Sequence, residues 1–219
     1  MNKLKLAKYI DHTLLKPNAT KEQFIALCNE AFENHFASVC VLPHYVGLAN
    51  DILRGSDVKV CTVVGFPLGV TFNSAKMAET GQAISYGATE IDMVINISEL
   101  INGNHNVVFD DIKLLADLCH ANDSILKVIV ETCLLNEQQK IDICKIVTDA
   151  GADFIKTSTG FSTGGATIAD IQLFKKFVGE NVKIKASGGI RELPFCLDLI
   201  NAGANRIGTS SGISLVGEL

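Results

Sequence analysis

Ala150-Gly-Ala-Asp-Phe-Ile-Lys156 recurs twice in reduced form, as Tyr86-Gly-Ala-Thr-Glu-Ile-Asp92 and Ala202-Gly-Ala-Asn-Arg-Ile-Gly208. The shared core is Gly-Ala-x-x-Ile, and each copy falls where a helical pattern hands over to a strand pattern. Glycine suits a left-handed helix terminus, and the small alanine allows a tight entry into a sheet. Alternation along the strand then sends the isoleucine to one face and the next residue to the other. If the isoleucines face helices, the interior receives Asp92, Lys156 and Gly208: an acid, a lysine and a glycine at matching places on three strands.

Outward from these copies, apolar runs and helical patterns alternate along the whole chain. Strands are predicted at 9–14, 36–42, 58–66, 90–96, 125–131, 153–158, 182–187 and 206–209. Helices are predicted at 21–35, 45–53, 73–86, 98–121 (broken near 102–105), 136–150, 167–178, 192–202 and 212–219, with Thr20, Asn73 and Asn136 as N-caps. Near-continuous apolar strands point to a parallel sheet buried on both faces. Eight strand–helix units without a linker or composition break predict one domain over residues 1–219, a TIM (β/α)8 barrel. An open doubly wound sheet is the competing arrangement, and no Gly-x-Gly-x-x-Gly follows the first strand to support it.

Bulk composition narrows the function. Apolar residues make up 47% of the 219, enough to fill a large core, and the net charge is -5 without any basic run. Nucleic acid and anionic membranes are therefore poor partners, whereas a small phosphorylated substrate needs only a local site. Seven scattered cysteines, odd in number and without Cys-x-x-Cys spacing, fit reduced thiols in a cytoplasmic protein. The N-terminus lacks the apolar run of a signal peptide, and no segment has the length and hydrophobicity of a membrane span. The five histidines are dispersed, His12 pointing away from the barrel axis, and no metal-ligand spacing stands out.

The same alternation assembles a charged interior. Asp11 and Thr13 share a face of the first strand, Cys40 points inward on the second, and Lys127, Ile129 and Glu131 share a face of the fifth. Phe154, Lys156 and Ser158 share one on the sixth, and Lys185 lies inward on the seventh, while Lys183 is a solvated lysine at the bottom. The expected network sets Asp11, Asp92 and Glu131 against Lys127, Lys156 and Lys185. A network that only stiffens the barrel is one reading, but buried charge is an inefficient stabiliser. The other is chemical: a desolvated lysine beside a second lysine favours the free amine that attacks carbonyls. The residues alone do not say whether Lys156 or Lys185 is the nucleophile. For an anion, the loops holding Gly188, Gly189, Ser210 and Ser211 follow the seventh and eighth strands, where this fold often binds phosphate, and the second opens a helix.

Six segments carry a family resemblance: Ile10-Asp-His-Thr-Leu-Leu15, Glu90-Ile-Asp-Met-Val-Ile-Asn96, Lys127-Val-Ile-Val-Glu-Thr132, Phe154-Ile-Lys-Thr-Ser-Thr-Gly160, Lys185-Ala-Ser-Gly-Gly-Ile-Arg191 and Ile207-Gly-Thr-Ser-Ser-Gly212. In this order, end to end, the chain resembles the deoxyribose-phosphate aldolases. That resemblance implies a metal-free, cofactor-free class I aldolase that interconverts 2-deoxy-D-ribose 5-phosphate with acetaldehyde and D-glyceraldehyde 3-phosphate, as a homodimer. It makes Lys156 the Schiff-base lysine, Lys185 the charge that favours its free amine, and Asp92 a participant in proton transfer. Asp11, Thr13, Cys40, Lys127 and Glu131 become supporting residues, and Thr159 and Gly160 join the phosphate loops. Phe161 stands where some members carry a basic residue, and the chain stops at Gly217-Glu-Leu219 without the C-terminal tyrosine of others. The alternatives are another Schiff-base lyase or transaldolase, or a sugar-phosphate sensor. A sensor is expected to have lost a lysine or Asp92, and all are present.

Overall fold

The computed structural model describes residues 1–219. Helix α1 (Lys3–Ala7) comes first, followed by β1 (Ile10–Leu14), α2 (Lys21–Asn34), β2 (Ser38–Val41), α3 (Val46–Ile52), β3 (Lys59–Val64) and α4 (Asn73–Ser85). The middle of the chain forms β4 (Glu90–Val94), α5 (Ile97–Ile101), α6 (His105–His120), β5 (Ile125–Ile129) and α7 (Glu137–Asp149). It ends with β6 (Phe154–Lys156), α8 (Ile168–Phe177), β7 (Lys183–Ser187), α9 (Leu193–Ala202), β8 (Arg206–Thr209) and α10 (Gly212–Gly217). The strands pair in parallel in chain order and β8 pairs back with β1, so the sheet closes into the expected (β/α)8 barrel.

The main apolar core lies between the barrel and its helices. Ile91, Ile155 and Ile207, the repeat isoleucines, are fully buried in that layer. Their glycines, Gly87, Gly151 and Gly203, have φ of 103°, 79° and 126°, the left-handed backbone the repeat requires. Inside the barrel the apolar content is small: Leu15, Cys40, Cys61 and Val63 form a separate cluster. Apart from Ile129 and Phe154, the remaining inward side chains are mostly charged or polar, which makes the interior a place for chemistry.

Local signals set most boundaries. Thr20 and Asn136 form capping boxes with Gln23 and Gln139. Asn73 is not a cap: Phe72 holds that position without a side-chain bond, because its carbonyl already accepts from Ala75 and Lys76. Strands β2 to β6 stop one or two residues before their apolar runs do, while β1, β7 and β8 end as expected. The fifth ends at Ile129, and Glu131 beyond it turns left-handed, at φ 54°. Helix α1 was not expected. It is too short to show periodicity, and it is held by burial of Leu6 and Ala7 and by the Ala37 N–H on the Ala7 carbonyl. No helix is long and apolar enough to cross a membrane.

Candidate active site

Asp92, on the fourth strand, is the centre of the barrel's interior. Its Oδ2 accepts from Lys156 Nζ at 2.8 Å and from Lys185 Nζ at 2.6 Å. Its Oδ1 accepts from Lys127 Nζ at 2.8 Å and the Cys61 thiol at 3.2 Å. Two further carboxylates complete the ring. Asp11 pairs with Lys185 at 2.5 Å and with Arg206, and Glu90 pairs with Lys127 at 2.7 Å and Arg206 at 2.8 Å.

Burial would neutralise such groups if they stood alone. Here it opposes the charge on Asp92, but Lys127, Lys156 and Lys185 outweigh it and hold the carboxyl well below the usual range. Burial likewise opposes the charge of Lys185, and Asp11 with Asp92 overcomes it, holding that ammonium above the usual lysine range. The same balance raises Lys127 through Asp92 and Arg206 through Asp11 and Glu90. Asp92, Lys127 and Lys185 have no solvent-exposed side-chain surface, while Lys156 keeps 3%.

Register explains how these side chains meet. Asp92 lies opposite Lys127, which lies opposite Phe154, so Lys156 stands two residues farther along its strand and reaches Asp92 with its long stem. Lys156 and Lys185 lie directly opposite one another. Gly208 leaves room for this lysine: a Cβ there would sit 3.2 Å from Lys185 Cε and 3.0 Å from Ser187 Cβ. His12 faces outward, bonding Glu30 at 2.7 Å, and Lys183 is exposed, as expected of both.

The expected ring of three acids and three lysines needs correction. Glu131 is not part of it. Its left-handed backbone turns the carboxylate to the loop after β6, where it accepts from the Thr159 hydroxyl and from the Thr159 N–H at 3.2 Å. Glu90 and Arg206 take its place and were overlooked. Both stand two residues before an inward repeat position, so strand alternation already placed them inside. The Cys40, Cys61 and Asp92 donor atoms lie within 4.8 Å of one another, brought together from three strands that sequence spacing does not connect. They fit a metal poorly. A cation would have to displace the ammonium groups on Asp92, and burial plus the hydrogen bond to Cys40 pushes the Cys61 thiol well above its usual range.

Above the ring a cavity of about 350 Å³ opens at the C-terminal ends of the strands. Lys156 lines it together with Thr13, Thr159, Gly160, Gly188, Gly189 and Ser210. Ser211, expected among the phosphate ligands, is not in the lining; its N–H turns back onto the Thr209 hydroxyl at 2.9 Å. The Thr159 hydroxyl is occupied by Glu131 and by the Phe161 N–H, so this residue shapes its loop. Lys16 and Arg191 also line the cavity. Neither was singled out, because a charged residue in a loop reads as a solvated one.

A DeoC/LacD family aldolase profile matches residues 5–215. The deoxyribose-phosphate aldolase of Brevibacillus brevis is 55% identical over 213 residues, covering 97% of this chain and 96% of that protein. The one from Clostridium kluyveri is 54% identical over 218 residues, with both chains covered in full. Among solved structures, a tetrameric deoxyribose phosphate aldolase from Aeropyrum pernix superposes with a TM-score of 0.93 at 31% identity, covering 99% of this chain and 92% of that one. With a closed barrel, a lysine-lined cavity and full-length relatives of one kind, the chain belongs to the DeoC/LacD family of aldolases.

Proposed function

We propose that residues 1–219 act as one class I aldolase domain that reversibly cleaves 2-deoxy-D-ribose 5-phosphate to acetaldehyde and D-glyceraldehyde 3-phosphate through an imine on Lys156. One observation carries the choice of lysine. Of the three interior lysines only Lys156 lines the cavity, and it has one carboxylate partner where Lys127 and Lys185 each have two. A substrate aldehyde meets this amine first. The Lys156 nitrogen adds to C1, water leaves, and the iminium draws the electrons of the C2–C3 bond as the C3 hydroxyl passes its proton to water in the cavity. Glyceraldehyde 3-phosphate departs; the enamine is protonated at C2 and hydrolysed to acetaldehyde. Asp92 rests ionised and carries a proton only in passing, giving it up again within each transfer. Because Lys156 and Lys185 bond the same oxygen of it, its part in proton transfer is to relay protons between the two amines. The chain works in the cytoplasm, in the breakdown of deoxyribose phosphates, as a homodimer that sedimentation can test.

The deciding assay is retro-aldol cleavage of 2-deoxyribose 5-phosphate with EDTA present. Turnover is expected to be undiminished, since a cation at the Cys40–Cys61–Asp92 cluster would have to displace the ammonium groups on Asp92. Loss of rate that zinc restores overturns the class I reading. A second expectation concerns the loop after β8. Ser210→Asp places a like charge beside the phosphate and should raise KM for the phosphorylated sugar about tenfold, with little effect on 2-deoxyribose. Equal losses on both sugars would show that this loop does not hold the phosphate.

A further inference from the structure

We propose that Lys16 is a specificity-determining cation of the phosphate end of the cavity, acting from the opposite side to Arg191; this rests on the sugar-phosphate reading above. The cavity lining contains three cationic side chains, Lys16, Lys156 and Arg191, and no aspartate or glutamate. Lys156 is deep and held by Asp92. Lys16 and Arg191 are exposed at the mouth, and neither forms an ion pair. Like charges that share a cavity repel unless an anion comes between them.

Topology fixes where that anion sits. Strand β8 lies between β7 and β1, so the Gly208–Ser210 segment is flanked by the loop carrying Arg191 on one side and the loop carrying Lys16 on the other. The wall across the cavity is apolar there: Phe161 packs edge-on against Phe66, with ring centroids 5.3 Å apart. The helix after β8 has only six residues, so its dipole adds little to anion binding, and the Thr159 hydroxyl is taken. A dianionic substrate is therefore drawn to the β7–β8–β1 side, which leaves its carbonyl end for Lys156.

Lys16→Met is expected to raise KM for 2-deoxyribose 5-phosphate about five- to tenfold, the range of a partly solvated charge on a dianion, while kcat changes less than about twofold. KM for 2-deoxyribose should stay within about twofold, and Lys16→Arg should keep most of the affinity because it keeps the charge. Binding is checked without turnover by thermal unfolding with inorganic phosphate. Phosphate should raise the wild-type midpoint, and Lys16→Met should lose most of that rise while its midpoint without phosphate is unchanged. An unchanged KM, equal rises for both sugars, or equal phosphate protection of the two proteins overturns the proposal. A wild-type chain that cleaves neither sugar removes the aldolase reading instead, and the phosphate titration still decides the role of Lys16.

Discussion

Lys156→Arg abolishes retro-aldol turnover, by at least about a thousandfold, and with it the borohydride trapping of acetaldehyde. Arginine keeps a positive charge within reach of Asp92, so the interior ring loses little. It stays protonated at any working pH and offers no lone pair for an imine. In the wild type, acetaldehyde with borohydride should leave a stable ethyl group on Lys156, located by peptide mass. The geometry makes this selective. Lys127 and Lys185 are fully buried, each between two carboxylates, and neither lines the cavity. An adduct on either of them would show that the nucleophile belongs to another strand.

Much of the barrel was legible because its signals are local and repeated. The Gly-Ala-x-x-Ile copies set helix ends, strand starts and the inward direction at once, and all three behave alike. The interior acids and bases followed wherever strand geometry persisted. Glu131 fails because the ladder ends at Ile129 and the next turn is left-handed, which no alternation rule anticipates. Glu90 and Arg206 are a different kind of miss. They occupy the x position just before the isoleucine, where inward direction follows from the same repeat, but charge at a strand start reads as solvated. Lys16 and Arg191 were hidden for a related reason. Their use depends on β1, β8 and β7 being neighbours, a fact of barrel closure rather than of any segment.

The Lys185→Leu variant should lose most activity near neutral pH and regain part of it in alkali, a result that follows from counting interior charge. Three carboxylates, Asp11, Glu90 and Asp92, face four bases, Lys127, Lys156, Lys185 and Arg206. The ring carries one excess positive charge when all are ionised and is neutral when one base gives up its proton. Lys127, Lys185 and Arg206 are each held by two carboxylates and Lys156 by one, so Lys156 is the base whose charge the ring needs least. With Lys185 removed, three bases face three carboxylates, and the balance now needs Lys156 charged. The acid limb of kcat/KM should move to higher pH by about one unit or more, each unit meaning roughly tenfold less free amine below it. The fold should survive. Asp11 keeps Arg206 and Asp92 keeps Lys127, so no carboxylate suffers the ~3–5 kcal/mol cost of a buried charge left alone. The pH profile separates this role from a packing one, because a merely loosened barrel loses rate equally at every pH. Lys156→Arg, which lacks the amine altogether, should gain nothing from alkali. A Lys185→Leu profile parallel to the wild type would mean that Lys185 supports the structure of the ring and not the charge state of its neighbour.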